Sequence, residues 1–337
     1  MGFDLKQALS ELCAAPGVSG AEKTAQQTAQ QLLSQFAKTE TDSFGNVYGY
    51  VGEQTHGRQK LMLEAHIDEI GYIVTYITDE GFLKISGCGG IDERALAAQQ
   101  VTVYGKETIK GVITSIPPHL SEKNNSYSIN DVFVDIGLSK QQAEKLVSPG
   151  DRVLVENELV SLGGSLVTSK ALDDRSGVAA VLLALDMLKD KQTAYDICVL
   201  FAAQEETGER GAKTGAFRLA PDLAIAVDVS FAKTHFESEE DCAKMGQGAM
   251  IGIAPVLSSE FSQGLIQTAE RCGLPYQLEI MSGTTGTDAD KISITAGGVR
   301  TVIVSVPLKY MHTPVEVIDL GDVEKTAQLI AEFAQGR

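Results

Sequence analysis

Positive charge is what this chain most lacks. Lys and Arg number 28 against 45 Asp and Glu, a formal net charge of −17, and the basic residues nowhere cluster. Nucleic acid and anionic membrane both need a positive footprint, so neither is expected as a partner, whereas small molecules or peptides are. Long apolar runs are missing as well, since none approaches the roughly 20 residues of a membrane span. The start Met1-Gly2-Phe3-Asp4-Leu5-Lys6 has neither the basic nor the apolar region of a secretory signal, and a cytoplasmic protein is expected. The five cysteines are odd in number, scattered and without CxxC spacing. That pattern speaks for reduced thiols rather than a disulfide framework or a thiolate zinc site.

What is present is ample apolar material, 43% of 337 residues, enough for two domains or one large domain with an insertion. Ser19 and Glu22 read as a capping box ahead of a helix over 21–37, and 39–51, with a Gly45-Asn46 turn, reads as a hairpin before a strand ending near His66. From 72 to 162 the texture changes to short strand-like segments: 72–77, 82–85, 100–104, 111–116, 132–136 and 152–155. Turn residues such as Pro117-Pro118 separate them, and only 140–147 looks helical. Such spacing predicts an inserted small β barrel or sandwich. After 166 helix and strand alternate again, with helices over 175–189, 260–272 and 322–334 and strands over 197–203, 223–228, 277–281 and 300–306. The division is therefore 1–71 and 163–337 for a discontinuous catalytic α/β domain, and 72–162 for the inserted β domain.

Four apolar runs each end by delivering a residue able to bind metal. Leu61-Met62-Leu63 precedes Glu64-Ala65-His66-Ile67-Asp68, the run 197–203 precedes Gln204-Glu205-Glu206, 223–227 precedes Asp228, and 302–306 shortly precedes His312. In open α/β sheets ligands bind beyond the carboxyl ends of the strands, so these groups can converge. Two histidines with several carboxylates suit divalent metals of the zinc class. Asp68, two residues past His66, is placed to orient its imidazole. Asp173-Asp174 is either an ordinary helix N-cap or supplies a carboxylate shared by two metals. Adjacent Glu205 and Glu206 repel unless solvent or a cation compensates them, and beside a metal one can ligate while the other acts as general base. The stretch 282–290 lacks the lysine and spacing of a phosphate loop and reads as a loop beside the site. His56, His119 and His235 have no partner pattern.

Five ordered motifs, Ala65-His66-Ile67-Asp68-Glu69-Ile70-Gly71, Lys170-Ala171-Leu172-Asp173-Asp174-Arg175, Gln204-Glu205-Glu206-Thr207-Gly208, Val227-Asp228 and Tyr310-Met311-His312-Thr313-Pro314, resemble the dinuclear-metal aminopeptidases of the glutamyl-aminopeptidase and TET type. The resemblance spans essentially the whole chain. It implies a mixed-sheet α/β metallopeptidase domain with an inserted small β-barrel domain. It makes Asp173 the bridging ligand, with His66 and Asp228 on one metal, Glu206 and His312 on the other, Glu205 the general base and Asp68 the orienting carboxylate. It further implies a cis peptide between Asp173 and Asp174, and a tetrahedral dodecamer built from dimers through the inserted domain. Two divalent ions per subunit are expected, zinc or cobalt foremost and manganese as an alternative. The chain departs from the usual family forms within Gly90-Ile91-Asp92 and within 206–211, in neither case by changing a ligand. Short peptides are the expected substrates, with a glutamyl, aspartyl or leucyl preference. Still open at this level are a deacylase, carboxypeptidase or glycosidase on a related scaffold, and a non-catalytic shell protein.

Overall fold

In the computed structural model, which describes residues 2–53, 55, 57–115, 128–235 and 242–336, the strands Lys60–His66, Asp196–Ala202, Leu223–Phe231 and Arg300–Lys309 run parallel side by side. They are almost wholly buried. Strands apolar on both faces need cover on both faces, and the helices supply it. Leu5–Ala14, Lys23–Leu33, Leu172–Leu188, Ser259–Cys272 and Leu320–Ala334 pack on one side; Arg210–Leu219 and Asp288–Ser293 pack on the other. Antiparallel strands extend the sheet at both ends: the hairpin Lys38–Thr41 with Val47–Tyr50, and Glu316–Asp319 with Leu166–Ser169 and Val160–Ser161. A branch of Ala249–Ile253 and Tyr276–Ile280 pairs onto Arg300–Lys309.

The second unit is a closed barrel of six antiparallel strands, Gly71–Ile77, Leu83–Cys88, Gln100–Tyr104, Thr108–Ile113, Val134–Asp135 and Arg152–Val155, filled by its own cluster of Val, Ile and Leu. Its helix is Lys140–Leu146, opened by a capping box of Ser139 and Gln142. Val160–Ser161 already belongs to the large sheet.

The Ser19–Glu22 capping box does not form. Glu22 itself is the N-cap of Lys23–Leu33, with no side-chain cap bond, and Ser19 turns instead to Asp68. Several elements were not anticipated, among them the helices Leu5–Ala14, Arg210–Leu219 and Asp288–Ser293 and the strands Val160–Ser161, Leu166–Ser169, Ala249–Ile253 and Glu316–Asp319. Leu223–Phe231 also runs three residues past Asp228, because Val229 and Ser230 continue the pairing with Val306 and Pro307. Among the described residues no helix is long and apolar enough to cross a membrane. Pro117-Pro118, His56, His119 and the end of the 111–116 segment lie outside the described residues.

Candidate metal centre

Parallel pairing puts the carboxyl ends of the central strands on one edge, and the register pairs Ala202 with His66 and Asp228 with Ser305. His66 is thus level with the Glu205-Glu206 turn, which begins two residues past Ala202. That turn opens with Gln204 in the left-handed region (φ +60°), and Asn46 of the hairpin braces its approach by accepting from the Ala203 N–H at 3.1 Å. His312 arrives from the far side, also left-handed (φ +61°). Non-glycine residues held there persist only where the surroundings over-determine them.

Asp173 stands at the middle. Its Oδ1 is 3.1 Å from His66 Nε2 and its Oδ2 3.4 Å from His312 Nε2. Asp228 Oδ1 lies 4.0 Å from His66 Nε2, and Glu206 Oε2 lies 3.6 Å from His312 Nε2. Two groups therefore share one carboxylate: His66, Asp173 and Asp228, then Asp173, Glu206 and His312, the ligand atoms of each within 4.8 Å of one another. Imidazole nitrogens and carboxylate oxygens in threes are a donor set suited to zinc-class cations with room for water or substrate. The peptide bond between Asp173 and Asp174 is cis, and both residues are non-helical although they open Leu172–Leu188.

Charge balance agrees with that donor set. Burial pushes the carboxyls of Glu206 and Asp228 well above the usual range, and the neighbouring charge of Asp173 adds to the shift. Glu205 is pushed up to about 8 by burial, against His66 and with help from Asp288, Asp68 and Asp173. Asp173 goes the other way: despite burial, its bonds to His312 and His66 hold it below the usual carboxylate range. Ionising all these groups together requires positive charge beside them.

Asp68 ties the parts together. Its Oδ1 accepts from the Glu205 N–H at 2.9 Å, and its Oδ2 accepts from the Glu206 N–H at 3.2 Å and from the Ser19 hydroxyl. It also lies 3.4 Å from His66 Nδ1. Burial opposes its charge, yet His66, Ser19 and the Glu205 amide hold it ionised. Glu316, which sequence patterning did not single out, accepts from the Asp173 N–H at 3.2 Å and the His312 N–H at 3.0 Å. The only sequence signal for it is a carboxylate four residues past His312 at a strand start. Gly89 and Gly90 close the other flank. A Cβ on Gly90 would fall 2.6 Å from His312 Nδ1, and one on Gly89 3.0 Å from Glu206 Oε2.

A cleft of about 760 Å³ opens over these groups, lined in part by Thr285, Gly286 and Thr287, so the first half of 282–290 does lie beside the site. Its second half is the start of the helix Asp288–Ser293, capped by Thr287.

A sheet edge that gathers two histidine–carboxylate groups around one aspartate defines a metallohydrolase. The model of the M42 glutamyl aminopeptidases matches residues 45–329, and the chain belongs to that family of metalloaminopeptidases. An aminopeptidase of Desulfurococcus kamchatkensis is 34% identical with a TM-score of 0.93, covering 99% of this chain and 95% of its own. The TET1 peptidase of Pyrococcus horikoshii, described as assembling into a tetrahedron or a large octahedral shell, is 33% identical with a TM-score of 0.87, covering 98% and 99%. The lysyl aminopeptidase of Pyrococcus furiosus is 29% identical over 333 residues, 95% of this chain and 94% of the relative.

Proposed function

We propose that the protein removes the amino-terminal residue from short peptides with two divalent cations, His66, Asp173 and Asp228 holding one and Asp173, Glu206 and His312 the other. Zinc or cobalt suits these donors, as does manganese. Bound there, such ions polarise the scissile carbonyl and lower the pKa of a water. The rest is done by side chains. Glu205 takes the proton of the attacking water and returns it to the leaving amine; burial raises its carboxyl, and positive charge beside it would act against that rise. Asp68 fixes the Glu205 and Glu206 amides and turns His66 so that Nε2 faces Asp173.

The observation that carries this reading is the Asp173 carboxylate, one oxygen towards each histidine. Replacement of Glu205 by Gln keeps every proposed ligand and removes the base. Metal content by elemental analysis should stay at two per chain while kcat falls roughly 10²–10⁴-fold. Activity within a factor of ten of the parent in the metal-loaded variant removes Glu205 from this role.

The inserted unit expected at 72–162 between 1–71 and 163–337, whose barrel strands run from Gly71 to Val155, would form the assembly domain, joining dimers into a dodecamer, as the likeness to a shell-forming peptidase supports. Cysteines that form no disulfide suit a cytoplasmic setting. A glutamyl or aspartyl preference needs a cation facing the substrate side chain, and a leucyl preference needs an apolar wall. Among the described residues lining the cleft there is no Lys or Arg, while Met250, Met281 and Ile303 are there.

A further inference from the structure

One carboxylate in this cleft has no part in the hydrolysis. Glu279 lies on Tyr276–Ile280, where it is the register partner of Gly252 on Ala249–Ile253, and that strand in turn pairs with Arg300–Lys309. Its Oε2 accepts from Ser305 Oγ at 2.8 Å, and its Oε1 accepts from Ser230 Oγ. To reach Ser305 the side chain must cross the intervening strand Ala249–Ile253, whose Met250 is the register partner of Ser305. Ser305 is the register partner of Asp228, and Ser230 lies two residues beyond Asp228 on the same strand face. The carboxylate is therefore pinned on the metal face of the sheet, its serine anchor one strand spacing, roughly 5 Å, from Asp228.

Among the described residues no cation balances its charge. Burial raises the Glu279 carboxyl, and the two hydroxyls that hold it lower it but bring no positive charge. Glu209, another acid of the lining, has Lys291 at 3.6 Å. The walls beside Glu279 are Met250, Met281 and Ile303, apolar side chains on the same strand faces. A long aliphatic stem ending in a cation matches such a site, since the stem lies on apolar surface while the head meets the acid.

We propose that Glu279 sets the specificity of this aminopeptidase and selects peptides whose amino-terminal residue is Lys or Arg, in place of the glutamyl, aspartyl or leucyl preference expected from the sequence. The inference rests on the aminopeptidase reading above. The net charge of −17 acts in the same direction by concentrating basic peptides around the molecule.

The test is kcat/KM for the p-nitroanilides of Lys, Arg, Leu and Glu with zinc- or cobalt-loaded full-length protein. Lys and Arg should exceed Leu roughly tenfold and Glu by more, since a half-buried acid held only by hydroxyls rejects an anionic side chain. In Glu279→Gln the Lys-to-Leu ratio should fall roughly 10- to 100-fold, the range of one charged hydrogen bond, and Glu279→Lys should shift the ranking towards Glu. Parent protein that cleaves Leu or Glu substrates as well as Lys overturns the proposal, as does a Gln variant with an unchanged ratio. Should a variant fail to fold, the parent's ranking alone decides. Metal-loaded parent that cleaves none of the four overturns the aminopeptidase reading itself.

Discussion

Asp68 shows how much of the centre rests on single buried carboxylates: its side chain joins the His66 strand end, the Glu205-Glu206 turn and the Ser19 loop. That Ser19 bond explains why the apparent capping box misled. A serine three residues before a glutamate is a helix-start signal by local chemistry, but a buried anion 49 residues away competes for the same hydroxyl and wins. Glu22 is left buried, accepting from the Gly20 N–H at 2.6 Å, and burial raises its carboxyl from 4.5 to about 6. A carboxyl raised on folding contributes stability while protonated, so the contribution is full below about 4.5 and is lost as pH rises through about 6. Glu22→Gln keeps the acceptor oxygen and removes the titration. Its stability relative to the parent should rise by up to about 2 kcal/mol between pH 4.5 and 6.5, read from urea unfolding at matched pH. A gap that stays constant across that window sinks the assignment.

At the scale of elements, the ligand-bearing strands were legible because each is an apolar run ending in a residue that apolar strands do not tolerate without a reason. The Leu172–Leu188 helix was read with regular structure starting at Arg175, and the non-helical backbone at Asp173 and Asp174 agrees. What remained hidden carried weak local signals. Arg210–Leu219 buries only Gly211, Ala212, Gly215, Ala216 and Leu219, and its Phe217 is exposed, so the buried face carries few of the large apolar residues that mark a helix in a sequence. Glu279 and Glu316 were hidden for another reason: a lone acid on a short strand looks like any exposed acid until the fold shows what it touches. Gly177 offers a test of how tightly the first turn is packed. A Cβ there would sit 2.3 and 2.4 Å from the two Asp174 oxygens, and the Gly177 N–H donates to one of them at 3.0 Å. Alanine is the better helix former by about 1 kcal/mol, so a net loss can come only from the clash. Gly177→Ala should destabilise by about 1–2 kcal/mol net of that gain, measured by thermal unfolding of the metal-loaded protein. A variant as stable as the parent or more so shows that Asp174 moves aside freely.

For the molecule as a whole, the barrel and the mixed sheet are filled by separate apolar clusters, so the barrel can serve another purpose without disturbing the catalytic core. Its surface shows Tyr76 at 52% and Val112 at 48% exposure, large apolar residues that the described residues leave half-covered. Such residues are common singly on monomers, so exposure alone does not identify an interface. The mass in solution does. A dodecamer of 35.9 kDa chains has a mass of roughly 430 kDa, and native mass spectrometry should find that species or a larger closed shell. If the centres face an inner chamber, the assembled enzyme should degrade short peptides and leave folded proteins intact, because entry is then limited by the openings between subunits rather than by the cleft. A fully active species of 35.9 kDa would show that assembly is not needed for catalysis. Cleavage of folded proteins by the intact assembly would place the centres on its outside.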